Sequence, residues 1–326
     1  MASLHALPLT HNLVVTRQDD SHVGYIEKYD THSGQLLATS NETFSFSWPL
    51  VEMTWDANTG NVYTVTYPSD ADGPVLYLMD SNLDLIYEWL YTPFSFFDLQ
   101  YSPVQDAVYG ILVTTTYGRA LSNFTLDQQA DTIIPHQLYT LPYMWYVNAS
   151  SFDAVNCRFF GLINNFPGFD NSTLDQQLVV ANLSVDSSVQ APHVDLLPVS
   201  SQDMFVRFVT YAQSISTLFC AGITRTKAEV AVFDERTGTV GTRIFERSAI
   251  AVGPLMYVPN GDVESDQLIV YVQTDDQPVP VWEMWSINVY IPSFTNNTRS
   301  VAEAKLVSTY WGLSFEEFAA ATTTTK

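Results

Sequence analysis

Short apolar runs bounded by turn residues follow one another along this chain, and the clearest stretch shows how they group. Leu50-Val51-Glu52-Met53-Thr54-Trp55-Asp56 leads through Ala57-Asn58-Thr59-Gly60 into Asn61-Val62-Tyr63-Thr64-Val65-Thr66. After a loop come Val75-Leu76-Tyr77-Leu78-Met79-Asp80 and the return run Leu85-Ile86-Tyr87-Glu88-Trp89. These are four short strands joined by turns, and the unit returns in degraded form about every 50 residues, the spacing of a β-propeller blade. Unit starts fall near residues 50, 97, 147, 206 and 254. The outer hairpin recurs at Tyr29-Asp30-Thr31-His32-Ser33-Gly34 and at Phe233-Asp234-Glu235-Arg236-Thr237-Gly238. There an Asp caps the strand and a Gly stands where the turn needs positive φ.

The first unit opens with Asn12-Leu13-Val14-Val15-Thr16, which matches Asn61 to Thr66 and therefore reads as a second strand. Its missing first strand finds a candidate at the other end of the chain, Tyr310-Trp311-Gly312-Leu313-Ser314-Phe315. Pairing the two would close the ring and remove an exposed edge. The expectation is an all-β, six-bladed propeller of four-stranded antiparallel blades, closed by the C-terminal strand. It forms one domain over 1–318, with 1–10 as an N-terminal extension and 319–326 as a Thr-rich tail.

The repeated Asp-Xaa-Xaa-Xaa-Gly and Val-Tyr-Xaa-Val elements, best seen from Asp56 to Thr66, resemble the loose NHL and YVTN propeller repeats. The resemblance implies the fold and carries over no functional residue. The Tyr-Trp-Thr-Asp and Gly-His to Trp-Asp signatures of other propeller families are absent from the sequence.

Composition narrows the function classes. Charged residues make up 15% of the chain and aromatics 13%, which suits stacked blades with aromatic interfaces. The formal charge of −22 argues against binding nucleic acid through phosphates and against anionic membranes; it also keeps a strand-rich surface soluble. No run of apolar residues is long enough for a membrane-spanning helix. A signal peptide is expected to be absent or already removed.

Asn-Xaa-Ser/Thr sequons stand at Asn41, Asn123, Asn148, Asn171, Asn182 and Asn296. The chain's 16 Asn would produce about three by chance, so the excess reads as an N-glycosylated chain on the extracellular side or at the cell surface. Asn171, Asn296 and Asn41 fall in loops. Asn148 and Asn182 sit nearer to strands and are expected to be used least. The two cysteines, Cys157 and Cys220, lie in or beside corresponding strands of neighbouring units. A disulfide and two separate buried thiols both fit that placement.

Catalytic candidates are sparse. Glu52, Asp98, Asn148, Arg207 and Glu316 lie on proposed inner strands, where a metal-dependent hydrolase or lactonase would converge them on the channel. Asp70, Asp72, Asp262, Glu264 and Asp266 place alternate carboxylates on loops, a weak Ca²⁺ pattern. The six His residues show no ligand spacing. Expected partners are therefore copies of the chain itself, meeting through termini and loops, together with N-linked glycans and O-linked glycans on the Thr run. Leu4, Leu7 and Leu9 would dock on a neighbour. The expected function is a structural or interaction subunit of a fibre, sheath or surface layer, without a cofactor. The alternative is a propeller enzyme or glycan-binding module.

Overall fold

The computed structural model describes residues 4–7, 12–18, 23–30, 35–45, 52–56, 59–66, 74–89, 96–102, 104–113, 118–142, 145–165, 176–183, 192–201, 203–258, 266–274, 281–289 and 304–311. Among the described residues the elements are strands, apart from a 3-10 turn at Gln213–Ile215. Consecutive strands pair antiparallel into meanders. One comprises β6 (Glu52–Trp55), β7 (Val62–Thr66), β8 (Val75–Met79) and β9 (Leu85–Trp89). The next comprises β10 (Phe96–Ser102), β11 (Ala107–Val113), β12 (Arg119–Asp127) and β13 (Thr132–Thr140). Then come β14 (Trp145–Asp153), β15 (Arg158–Asn165), β16 (Gln176–Asn182) and β17 (His193–Pro198). They are followed by β18 (Phe205–Ala212), β19 (Thr217–Ile223), β20 (Lys227–Asp234) and β21 (Thr239–Ser248). Last are β22 (Ala251–Val258), β23 (Gln267–Thr274), β24 (Val281–Asn288) and β25 (Ala304–Trp311).

These are propeller blades, and among the described residues the regular four-stranded ones number five rather than the expected six. The N-terminal sheet departs from the pattern. It orders β1 (Leu4–Leu7), β2 (Asn12–Gln18), β3 (Val23–Asp30) and β4 (Leu36–Thr39), while β5 (Phe44–Ser45) also pairs with β3.

The expected closure is overturned. The partner of Leu13 to Val15 is not the C-terminal strand but β1, with Leu4 opposite Val15 and Ala6 opposite Leu13. Tyr310 and Trp311 belong to β25, opposite Trp282 and Val281 of β24. Gly312 to Phe315 lie outside the described residues. The physical reason is local: a hairpin from Leu7 to Asn12 closes a short loop, whereas the expected pairing would close one almost the length of the chain. Leu4 to Leu7 therefore form a strand of the chain's own sheet and not a free extension, and Leu9 lies outside the described residues.

The hydrophobic core lies between successive sheets. Trp89, Val65 and Leu76 of one blade pack with Leu99, Val108 and Phe124 of the next. Tyr109, Ile111 and Leu121 then meet Phe159, Ile163 and Val179. Phe160, Leu162 and Leu178 meet Val206, Leu218 and Phe233, and Phe219, Ala221 and Val230 meet Leu255, Leu268 and Val270. Central strands are thus covered on both faces, which is why β11 and β19 read as near-continuous apolar runs. Outer strands such as β13 and β17 have one wet face and alternate.

The first strands of successive blades neighbour one another, β6 with β10, β10 with β14, β14 with β18 and β18 with β22, and β1 lies beside both β22 and β6. Hydrogen bonds reinforce this innermost layer. Tyr101 N–H donates to Thr54 Oγ1 at 2.8 Å, and Tyr211 N–H to Ser151 Oγ at 2.8 Å.

Candidate functional site

Two surfaces emerge from this arrangement: the innermost strands and the turns that join them to the second strands. The innermost strands repeat one irregularity. Register slips between Phe97 and Gln100, Val147 and Ala149, Val206 and Phe208, and Val252 and Leu255. Each slip is a β-bulge, a device that re-aims side chains and is common beside functional sites. Asp98, Asn148 and Arg207, three of the polar residues expected on inner strands, occupy the first three bulges. Sequence periodicity could place these residues on first strands but could not show the bulges, because a bulge is one residue out of step with the pleat.

Asp98 is the chemically distinctive member. Its backbone has φ of 54°, a left-handed conformation that Asp and Asn tolerate better than other non-glycine residues. Burial pushes its carboxyl up to about 6, against which a hydrogen bond from Ser150 of the next blade acts. Arg207 is exposed, with its guanidinium 5.1 Å from the ring centre of Phe205. Asp98 thus meets Ser150, and Arg207 stacks over Phe205. Glu52 opens β6, Asn148 lies in β14, and Glu316 lies outside the described residues.

The raised Asp98 value has a signed consequence. The folded chain holds this proton to higher pH than the unfolded chain, so this carboxyl lowers stability as pH rises from about 4 to about 6, with no further change above. The Asp98→Asn chain, whose new side chain also tolerates the positive φ, should lack this decline. Urea midpoints for both chains at about pH 4 and pH 7 measure it, and parallel pH dependences would show that Asp98 does not titrate as described.

The turn surface is more highly organised. Three turns between first and second strands have the same length and close on a left-handed residue: Asp106 at 49°, Cys157 at 53° and Ser216 at 50°. Side chains then tie each turn to the next. Ser102 Oγ lies 2.9 Å from Cys157 Sγ, and Gln105 Nε2 donates to Leu183 O. Gln213 Nε2 donates to Asp153 Oδ1 at 3.1 Å, and Ala154 N–H donates to Gln213 Oε1 at 3.1 Å. Tyr257 O–H donates to Asp266 Oδ2 at 2.6 Å and sits 2.8 Å from Ser214 Oγ. Burial, followed by Asp266, pushes the Tyr257 hydroxyl up to about 12, so it stays protonated as a donor.

Asp153 is the centre of this collar. Fully buried, it accepts from Val155 N–H at 3.2 Å, Asn156 N–H at 3.1 Å and Arg158 Nη2 at 2.7 Å. Burial works to raise its carboxyl, but the bonds from Asn156 and Arg158 outweigh that and hold it below the usual carboxylate range. Arg158 also pairs with Glu235 and donates to Tyr211 at 3.0 Å, both in the following blade. No signal in the sequence set Asp153 apart.

The cysteines are free thiols at separate places, so the possible Cys157–Cys220 disulfide does not form. Cys157 ends a turn against Ser102, whereas Cys220 is packed in the core between blades. Burial raises both thiols, which keeps them poor nucleophiles. Asp266 is engaged by Tyr257; the other loop carboxylates weighed for Ca²⁺ lie outside the described residues. Among the described residues no group of three or more His, Cys, Asp or Glu is placed to hold a metal ion. No helix among them is long and apolar enough to cross a membrane.

The sequons divide by placement. Asn41 is exposed on the bend after β4, where its amide donates to Asp84. Asn123 lies within β12, opposite Tyr109 and His136. Asn148 sits at a bulge, and Asn182 is the exposed last residue of β16. Asn171 and Asn296 lie outside the described residues.

No family model matches the chain, and no curated protein matches it. Among solved structures it is similar to prolyl oligopeptidase B from Galerina marginata, bound to a 35mer hydrolysis and macrocyclization substrate. The identity is 11% and the TM-score 0.56, over 97% of this chain and 43% of that one. A prolyl endopeptidase gives 10% identity and a TM-score of 0.54, over 96% and 43%. The chain therefore spans less than half the length of these peptidases, and the likeness shows the propeller fold alone. A nidogen/laminin complex structure is similar at 12% identity and a TM-score of 0.49, over 75% of this chain and 78% of that one.

Proposed function

We propose that this protein is an extracellular, N-glycosylated β-propeller that serves as a structural or interaction subunit. The observation that carries the reading is the sequon excess, with Asn41 held on an exposed bend. A rigid turn surface supports it. Side chains that tie one turn to the next present a preformed face, which lowers the ordering cost of docking.

Copies of the chain are the proposed partners, in a fibre, sheath or surface layer. Leu4 to Leu7 pair with β2 in their own sheet, so the reading does not rest on them as the contact. Strand addition at the outer edges is also disfavoured. Pro135 interrupts β13, Pro198 ends β17, and register slips distort β4, β9, β13 and β25. The proposed contacts are therefore loops and turns.

Peptide mapping of material secreted from a glycosylating eukaryotic host is expected to find glycan on Asn41. Finding all six sequon Asn residues unmodified would remove both the glycan and the extracellular assignment. Electron microscopy of native material is expected to show ordered polymers; a monomer at every concentration would remove the assembly reading.

One observation favours a second reading. Asp98, with its raised carboxyl on an innermost strand, is the group a channel enzyme or glycan-binding module would use as a proton donor or acceptor.

A further inference from the structure

Val155 and Val104 are the two most exposed large hydrophobic residues described, at 65% and 55%. They stand at equivalent positions in two neighbouring turns, Val104 two residues before the left-handed Asp106 and Val155 two before the left-handed Cys157. Neither can retract, because the turns are pinned. Ser102 Oγ accepts from Gln105 N–H at 3.3 Å, and Asp153 holds the Val155 and Asn156 amides. Single exposed apolar residues are ordinary, but these two are fixed at equivalent places on linked turns, where water hydrates them unfavourably.

One short segment joins both turns. Leu183 N–H donates to Cys157 O at 2.8 Å, on the side of the Val155 turn. Gln105, next to Val104, donates its side-chain amide to Leu183 O. The residue before Leu183 is Asn182, exposed at the end of β16 and opposite Arg158, the residue that follows the Val155 turn. Asn182-Leu183-Ser184 is a sequon. Strand position alone argued against its use, but the residue is exposed between Arg158 and His193.

We infer that Asn182 carries an N-glycan whose core sugars lie over Val104 and Val155. This rests on the extracellular, glycosylated reading and deepens it by assigning one site and its role. The sugar is the fitting cover because it is tethered beside these turns, bulky and solubilising. A second copy meeting this same face would set its own Asp106 against this one, which disfavours self-contact at this point. The glycan thus blocks one face of the turn surface and leaves assembly to the others.

The test uses the full chain secreted from a eukaryotic host, with site occupancy mapped at all six Asn residues. Asn182 is expected to be modified. Asn182→Gln and Ser184→Ala remove the same glycan by different means, and endoglycosidase trimming removes most of it after folding. All three treatments are expected to raise binding of an apolar fluorescent dye several-fold. Val104→Ser with Val155→Ser in the Asn182→Gln chain should return it to the wild-type level. An unmodified Asn182 beside a modified Asn41 overturns this inference and leaves the extracellular reading standing. Six bare sites overturn both. A modified Asn182 whose removal leaves dye binding unchanged overturns the shielding role.

Discussion

Replacing Asp153 by alanine is expected to lower the stability of the chain by about 3–5 kcal/mol, because it leaves several buried amide donors without their acceptor and removes one of the two carboxylates that hold Arg158. The side chain is fully buried, and it accepts from two turn amides, the Asn156 and Gln213 side chains and Arg158. Arg158 in turn reaches Glu235 and Tyr211 in the next blade. Losing Asp153 should therefore loosen the contact between two blades as well as one turn. Arg158→Ala removes the opposite end of the same network. The double variant should lose less than the sum of the single losses, since both single changes break the same network. Urea unfolding of the four chains measures this, and strictly additive losses would show that the residues do not act as a unit. Because the Asp153 carboxyl is held low in the folded chain, its contribution is present at neutral pH and is lost as pH falls through its depressed value.

The second large effect is expected from Gly222→Ala, at about 2–3 kcal/mol of destabilisation from overpacking. A Cβ on Gly222 would stand 2.6 Å from Met204 Cγ and closer still to Phe205 O. The methionine tail can move, but the carbonyl belongs to β18, paired with β19 through Phe205 opposite Ile223. Relief requires shifting that inner strand at its bulge. Gly241→Ala is the control: its added Cβ meets no heavy atom nearer than Val232 O at 3.4 Å. Thermal unfolding of both should show a loss of several degrees for Gly222→Ala and little for Gly241→Ala. Equal melting temperatures would mean that the strand yields freely at that point.

The blade pattern was legible because each blade buries its central strands on both sides and bends at short turns. That requirement writes apolar runs and capping Asp residues directly into the chain, as in Val62 to Thr66 and at Asp234. Pairing of neighbours along the chain, such as β7 with β8, followed from the same local signal. What depended on choosing between distant and nearby partners did not follow. Leu4 to Leu7 and Tyr310 to Phe315 both carry strand-compatible residues, and only the assembled sheets show that β2 takes the nearby partner. Alternation cannot register a bulge either, so the positions of Asp98 and Arg207 on first strands were readable while the slips beneath them were not.

The sequence by itself determined the all-β repeat, the acidic surface and the positions of the sequons and thiols, because these are properties of residue type and spacing. Only the tertiary structure decided which turns lie side by side. That set Asp153 between two blades and separated Cys157 from Cys220. It also tied Leu183, the residue after Asn182, to Cys157 and Gln105 of two neighbouring turns. These relations join residues tens of positions apart, and their energies come from burial and from hydrogen bonds that exist only once the blades have stacked.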